Sequence, residues 1–327
     1  MRTSSLLQKI FSSAEFGPLI LLIGEIAVFT ALSPAFLSAG NISNLLAFTP
    51  ELGMITLGMT LLMIAGEFDL SVGSVFGFAP VLMWTCYNTH FTSLFVGFLI
   101  AIGVAALIGF ANGWLVTRLR IPSFLVTLGM LLVVRGTALY LTSGFPQRTW
   151  SATSFLTNVV AGEFPIGDLR IYTSLIWFAG LAILSGYVLT QTKTGNWIQA
   201  SGGNPEAARA RGVQVSRTKI ILFVAAAIIS AYAGIASSIR VSAANPNSGT
   251  GYELEVIAMV VIGGTMLSGG RGTIIGTVIG VLILRVMRNG IVLIGVPGLA
   301  YNIFIGAIIL GMMALHSWLE RRHYAAR

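Results

Sequence analysis

Charge is what this sequence has least of. Only 9% of its residues are Asp, Glu, Lys or Arg, against about 25% in soluble domains, so an ordinary water-soluble fold is excluded. Cysteine is next: Cys86 is the single one, set in an apolar run, which excludes a disulfide framework and a cysteine-based zinc cluster. Three scattered histidines, His90, His316 and His323, support no metal site. A nucleotide-binding loop is missing too. GTMLSGG (264–270) has glycines about where a phosphate loop would, but Arg271-Gly272 replaces the Lys-[Ser/Thr] that touches phosphate and Mg²⁺. No His-Glu-x-x-His or Ser/His/Asp arrangement suggests catalysis. Any ATP-driven work therefore needs a motor on another chain.

What is present is apolar. The chain is 55% hydrophobic and holds 38 glycines, a membrane composition. Its balance of 19 Lys+Arg against 11 Asp+Glu gives +8, which in such a chain reports cytoplasmic loops rather than nucleic acid. Residues 17–37, GPLILLIGEIAVFTALSPAFL, exceed the roughly 7–15 apolar residues of a signal peptide's core. They reach ~31 Å as a helix, the thickness of a hydrocarbon core, so they are read as a retained helix.

Apolar segments recur at 17–37, 51–66, 69–87, 91–117, 122–142, 172–190, 218–240, 253–269, 273–295 and 298–318. The expectation is an all-α polytopic membrane protein of about ten transmembrane helices. It divides into a cytoplasmic N-terminal segment (1–16), a transmembrane domain (17–318) and a cytoplasmic tail (319–327). With Arg2 and Lys9 inside, ten crossings also put 67–68, Arg118/Arg120, 191–217, Gly269–Gly272 and Arg321–Arg327 inside, so nearly every basic loop lands on one side. The loop 143–171 falls outside. An odd number of helices breaks this pattern.

The second segment, 51–66, gives only ~24 Å of helix, shorter than the bilayer core. Gly66 ends it, and Asp69 is placed to cap the helix that follows. Non-helical backbone at membrane depth survives only against protein or water, so Asp69 and Ser71 are candidates for a pathway lining as well as for capping. Glu67 is assigned a cytoplasmic salt bridge or a pathway role. Glu25 lies inside the first segment, where an unpaired charge is costly, with Arg135 as one candidate neutralising partner. Arg285 and Arg288, one turn apart, face a polar interior or an interface.

A faint internal echo links the halves. Gly66-Glu67-Phe68-Asp69-Leu70-Ser71-Val72 opens one helix from inside, and Gly251-Tyr252-Glu253-Leu254-Glu255-Val256 opens another from outside. Asn112-Gly113 precedes Pro122 as Asn289-Gly290 precedes Pro297. Helices 2–5 and 7–10 would then be inverted repeats, with a site at the repeat interface. The outer stretch SAANPNSGTGYELE (242–255) is rich in donors and acceptors: Asn245, Asn247, Ser248, Thr250, Tyr252 and Glu253. They suit a hydroxylated ligand, Tyr252 stacking on a sugar face; the same residues equally make an ordinary capped turn.

The inner loop 191–217 carries KTGNWIQASGGNPEAARARGVQVSR (193–217). Gly202-Gly203 ends one element. Asn204 caps a new helix with Pro205 first and Glu206 in its first turn; Ala207, Ala208, Arg209, Ala210 and Arg211 continue it and Gly212 stops it. A short helix lying in such a loop is a docking peg, or else a solvated linker.

GEFDLSVGSV (66–75), ASGGNPEAARARGV (200–213) and NPNSGTGYELEVIAMVVIGGTMLSGGRGTIIGT (245–277) resemble the membrane permeases of ATP-binding cassette sugar importers, the ribose-transporter group above all. The resemblance runs from about residue 40 to 318. It implies that Asn204–Gly212, with Gly202 and Gly203 just before it, is a coupling helix seated in a groove of the ATPase. On the chemistry of the residues themselves, Asp69, Ser71, Asn112, Asn245, Thr250, Tyr252 and Glu253 are assigned to the pathway or its binding-protein side. Gly269, Gly270 and Arg271 form an inner turn. The resemblance also implies a dimer of permeases, equal or paralogous, a two-cassette ATPase that binds the ATP and Mg²⁺, a soluble sugar-binding protein and a bacterial inner membrane, with no cofactor in this chain. The family pattern near residue 67 is Gly-Ile-Asp-Leu-Ser-Val-Gly, from which Glu67-Phe68 departs. The rival class is an ion-coupled secondary transporter with Glu67 and Asp69 as proton carriers; a membrane scaffold or receptor without transport is the third.

Overall fold

The computed structural model describes residues 15–149, 154–301, 303–307 and 310–311. Arg2, Lys9, His316, His323, the tail Arg321–Arg327 and much of the tenth expected segment lie outside these.

The described chain is mainly helical. Its elements are α1 (Phe16–Leu32), α2 (Ala39–Ile64), α3 (Val72–Asn88), α4 (Leu94–Arg118), α5 (Ser123–Thr142), α6 (Phe155–Ala161) and α7 (Thr173–Gln191). Then come α8 (Lys193–Gly203), α9 (Pro205–Ala210), α10 (Val215–Arg240), α11 (Tyr252–Ile262) and α12 (Ile274–Leu293), followed by a 3₁₀ turn at Gly298–Ala300. Four short strands, β1 (Gln147–Arg148), β2 (Glu163–Ile166), β3 (Leu169–Tyr172) and β4 (Ala243–Ala244), lie in connections. They form two antiparallel pairs, β1 with β4 and β2 with β3.

Six helices, α2, α4, α5, α7, α10 and α12, are long and apolar enough to cross a bilayer. α1 is apolar but shorter, at 17 residues. The centre of the molecule is α2 and α12, mostly buried, whereas α4, α5 and α7 turn most of their apolar surface outward. Leu107, Leu132 and Ile183 are among the large side chains left exposed there, as lipid-facing helices require.

The second helix corrects the reading of the sequence. It does not start at residue 51 but at Ala39, capped by the Ser38 side chain, and runs for 26 residues with Pro50 inside it. That is ~39 Å, enough to span. A proline inside a helix lacks a donor, and a carboxylate is costly in lipid. Both are nevertheless buried within the helix, and Glu51 is paired: Arg240 of α10 grips it with two bonds, Nε–Oε1 2.7 Å and Nη2–Oε2 2.9 Å. The Arg240 guanidinium also lies 4.0 Å from the centre of the Phe48 ring, an arrangement that suits a desolvated cation.

α3 and α11 are the short helices of the core, at 17 and 11 residues. α3 lies along α10: the Ser230 hydroxyl donates to the Val72 carbonyl, and the Trp84 indole donates to Ser238 Oγ at 3.2 Å. Ser230 is 15 residues beyond Val215, the first residue of α10, or ~22 Å along it. α3 therefore begins deep in the bundle, not at its rim. The loop 143–171 contains α6 with a Ser154/Thr157 capping box and the β2–β3 hairpin, whose Arg170 N–H donates to Ser43 Oγ on α2.

Candidate functional site

The break between α2 and α3 is built around Asp69. The Asp69 side chain is fully buried, and its Oδ1 accepts from the Ser71 N–H (2.7 Å) and the Ser71 hydroxyl (2.6 Å). Asn112 on α4 donates through Nδ2 to Asp69 Oδ2 at 3.2 Å and to Ser71 Oγ at 3.0 Å. Leu70 N–H donates to Thr127 Oγ1 on α5 at 3.0 Å. The expected capping role is thus shifted by two residues: Ser71 occupies the N-cap position without a side-chain cap bond, and Asp69 holds it from below. Glu67 makes the anticipated ion pair, with Lys219 of α10 at 2.6 Å.

The stretch 245–251 folds back onto the beginning of α3. Arg135 of α5 ties the two together: its Nη1 donates to the carbonyls of Pro246 (2.6 Å) and Ser248 (2.7 Å), and its Nη2 to the carbonyl of Gly73 (3.1 Å). A Cβ on Gly73 would collide with the Gly249 carbonyl and the Glu253 carboxylate, and one on Gly77 with the Ser248 carbonyl. Bare glycine is what lets the loop lie that close. The first turns of α3 and α11 consequently meet, and the unsatisfied N–H ends of two helices create a local positive field beside a cationic guanidinium. Glu253 supplies the nearest acid; its Oε1 accepts from Gly251 N–H at 3.2 Å, and its buried Oε2 has no partner among the described residues.

This assembly corrects the candidate Glu25–Arg135 pairing. Arg135 is spent on three carbonyls, while Glu25 Oε2 is buried without a hydrogen bond among the described residues. Of the outer polar residues, Asn245 and Thr250 are used locally, Asn245 Oδ1 accepting from Asn247 N–H and Thr250 Oγ1 donating to the Asn247 carbonyl. Tyr252 is half-buried with its ring against Phe76, centroids 5.1 Å apart. Arg285 takes the polar-interior option: it donates to the Phe48 carbonyl and lies 3.9 Å from Glu255. Arg288, more exposed, lies 3.9 Å from the other oxygen of Glu255, and the Tyr301 hydroxyl donates to Glu255 at 2.7 Å.

On the opposite side of the break, α8 and α9 form as the sequence dictates. Asn204 accepts from Ala207 N–H, Pro205 is the first helical residue, Glu206 is in the first turn and Gly212 has φ +85°. Ala208 packs inward; Glu206, Ala207 and Arg209 are exposed. The end of α8 is locked into the core by glycine. A Cβ on Gly202 would fall on the Ile64 carbonyl, and that carbonyl accepts the Gly270 N–H at 2.8 Å. Gly269 and Gly270, at φ +81° and +80°, lie against Gly66 and Gly203. Arg271 is exposed, its carbonyl accepting from Met266 N–H. Thus α8, the end of α2 and the turn after α11 share one backbone junction, three residues before Asp69.

Sequence reading missed Arg135 as a clamp, Thr127, and the Glu51–Arg240 pair. Isolated charges inside apolar segments were the available signal for Arg135 and Glu51, and nothing in the sequence says which backbone they face.

The family described as "Branched-chain amino acid transport system / permease component" matches residues 41–313. The chain is 36% identical over 303 residues to the "Ribose import permease protein RbsC" of Escherichia coli K12, covering 92% of each chain. It is 32% identical to the "Xylose/arabinose import permease protein XylH" of Sulfolobus acidocaldarius, over 89% of this chain and 81% of that one. It is also 32% identical to the "Fructose import permease protein FrcC" of Rhizobium meliloti, over 97% and 90%. No solved structure matches the chain.

Proposed function

The chain belongs to the branched-chain amino acid transport system permease family, and from that premise we propose that it forms the membrane pathway of an ATP-binding cassette importer for a monosaccharide or related small polyol. It is a transport component, not an enzyme. The named relatives import ribose, xylose or arabinose, and fructose, which favours a sugar over the amino acids of the family's description. In this reading a soluble binding protein delivers the sugar outside, and a separate two-cassette ATPase supplies the energy inside. A second permease, identical or paralogous, completes the conduit in a bacterial inner membrane, with both termini cytoplasmic.

The observation that carries the reading is the meeting of two broken helices at Gly73 and Gly249–Glu253 under the Arg135 clamp. Irregular backbone is tolerated at that depth only beside protein or water, and half-helix ends near the midplane are where transporters hold cargo. Asp69, Ser71, Asn112, Asn245, Thr250, Tyr252 and Glu253 are its proposed lining or binding-protein side. An inverted repeat and about ten crossings fit the same facts. Asp69 and Leu70 are held from the next two helices by Asn112 and Thr127, as Glu255 is by Arg285 and Tyr301.

α9, with Gly202–Arg209 and Gly212, is the proposed seat of the ATPase. In this reading a push there reaches Gly66 and Asp69 through the Gly202–Gly270–Ile64 junction; coupling requires an element with two states that both ATP and cargo bias. The proton-carrier alternative is disfavoured because Asp69 accepts three hydrogen bonds and Glu67 is paired with Lys219. The test is sugar uptake in cells treated with a protonophore while ATP is maintained. Persistent uptake supports the ATP-driven importer; collapse of uptake rejects it.

A further inference from the structure

Beside α9 lies a cavity of about 460 Å³, lined by Glu67, Arg120, Glu206, Arg209 and Lys219 among others. Its charges do not balance. Glu67 and Lys219 neutralise each other at 2.6 Å. That leaves Arg120 and Arg209, neither in an ion pair among the described residues, against Glu206 alone. The residual is one positive charge. Arg120 is also in an unusual backbone state: it follows the end of α4 with φ +57°, the left-handed position at helix ends that glycine fills at least cost. A long cationic side chain at a strained position points toward function.

We propose that this cavity is a second docking point, receiving one carboxylate side chain of the cytoplasmic ATPase between Arg120 and Arg209. The inference rests on the importer reading and deepens it. Glu206 and Arg209 of α9 line the cavity, so a partner seated on that helix lies beside it. A single carboxylate matches the single uncompensated charge, and two arginines present forked donors suited to it. The inserted acid sits beside the Glu67–Lys219 pair, two residues from Asp69. Partner movement is therefore felt at the break by a route separate from the glycine junction.

The test is zero-length carbodiimide crosslinking of the assembled permease–ATPase complex carrying Arg120→Lys, which keeps the charge and adds a reactive amine. The native Lys219–Glu67 pair, linked in the same digest, is the internal control. A crosslink from position 120 to an Asp or Glu of the ATPase supports the proposal. An intact complex in which the control link forms, but position 120 is unlinked or joins only Glu206 or a second copy of this chain, overturns it. Arg120→Glu is expected to weaken assembly at least tenfold at low salt, and less at high salt, while Arg118→Glu, outside the cavity, does not. Equal assembly of both variants also overturns the proposal. If the unaltered chain fails to assemble with any cassette ATPase, the importer reading itself has failed, a result read before position 120 is examined.

Discussion

At the break between α2 and α3, single side chains do two kinds of work: Asp69 anchors, and Lys219 neutralises Glu67. Asp69 is an acceptor for three donors. Asp69→Asn puts an NH₂ group among those donors and leaves at least one unsatisfied, so unfolding in detergent should show a loss of ~1–3 kcal/mol. The surviving protein should keep the wild-type pH profile of uptake, which a proton carrier would not. Lys219→Ala leaves Glu67 unpaired in a site where both side chains are only 11–15% exposed. It should cost ~1–3 kcal/mol, with Glu67→Ala/Lys219→Ala milder than Lys219→Ala alone. A double-mutant cycle without coupling would reject that pairing. Glu67 and Lys219 are 152 residues apart in the sequence, which is why their types were legible and their partnership was not.

Among helices and turns, local chemistry was readable and long-range fit was not. Asn204-Pro205-Glu206 and Gly212 spelled out α9 in order, because caps, first-turn residues and stops act within a few residues. The start of α2 was misplaced for the converse reason: what makes Glu51 tolerable inside it is Arg240, at the far end of another helix. The glycine junction gives a sharp contrast. Gly212 has open space around it, so Gly212→Ala should cost only the ~1–2 kcal/mol of a left-handed non-glycine residue. Gly202 has a negative-φ backbone but no room, with Ile64 and Gly270 backbone against it. Gly202→Ala should therefore either prevent stable expression or part α8 from α2, lowering the unfolding midpoint well below that of Gly212→Ala. A milder effect at 202 than at 212 would show that the junction yields easily, and would remove it as a route for force.

For the molecule as a whole, the arrangement is a helical bundle with a break in its middle and the exposed helix α9 at one end. Helices α4, α5 and α7 turn apolar side chains outward, α2 and α12 form the buried centre, and the irregular backbone of 65–71 and 245–251 is held there by Arg135, Asn112 and Thr127. Composition revealed the membrane class at once. The clamp over the two breaks needed the folded chain, since carbonyl acceptors carry no sequence signature. If α9 is the seat of the ATPase, replacing both Glu206 and Arg209 by Ala should weaken ATPase assembly or uptake roughly fivefold or more, the equivalent of ~1 kcal/mol of docking energy. The protein's own stability should be nearly unchanged, because both side chains are exposed. The most direct measurement is solute accumulation and ATP hydrolysis in proteoliposomes containing this chain alone, then with its ATPase and binding protein. The account predicts that the isolated chain does neither, even across an imposed proton gradient, and that both appear only with the partners and ATP. Uphill accumulation by the chain alone would contradict it.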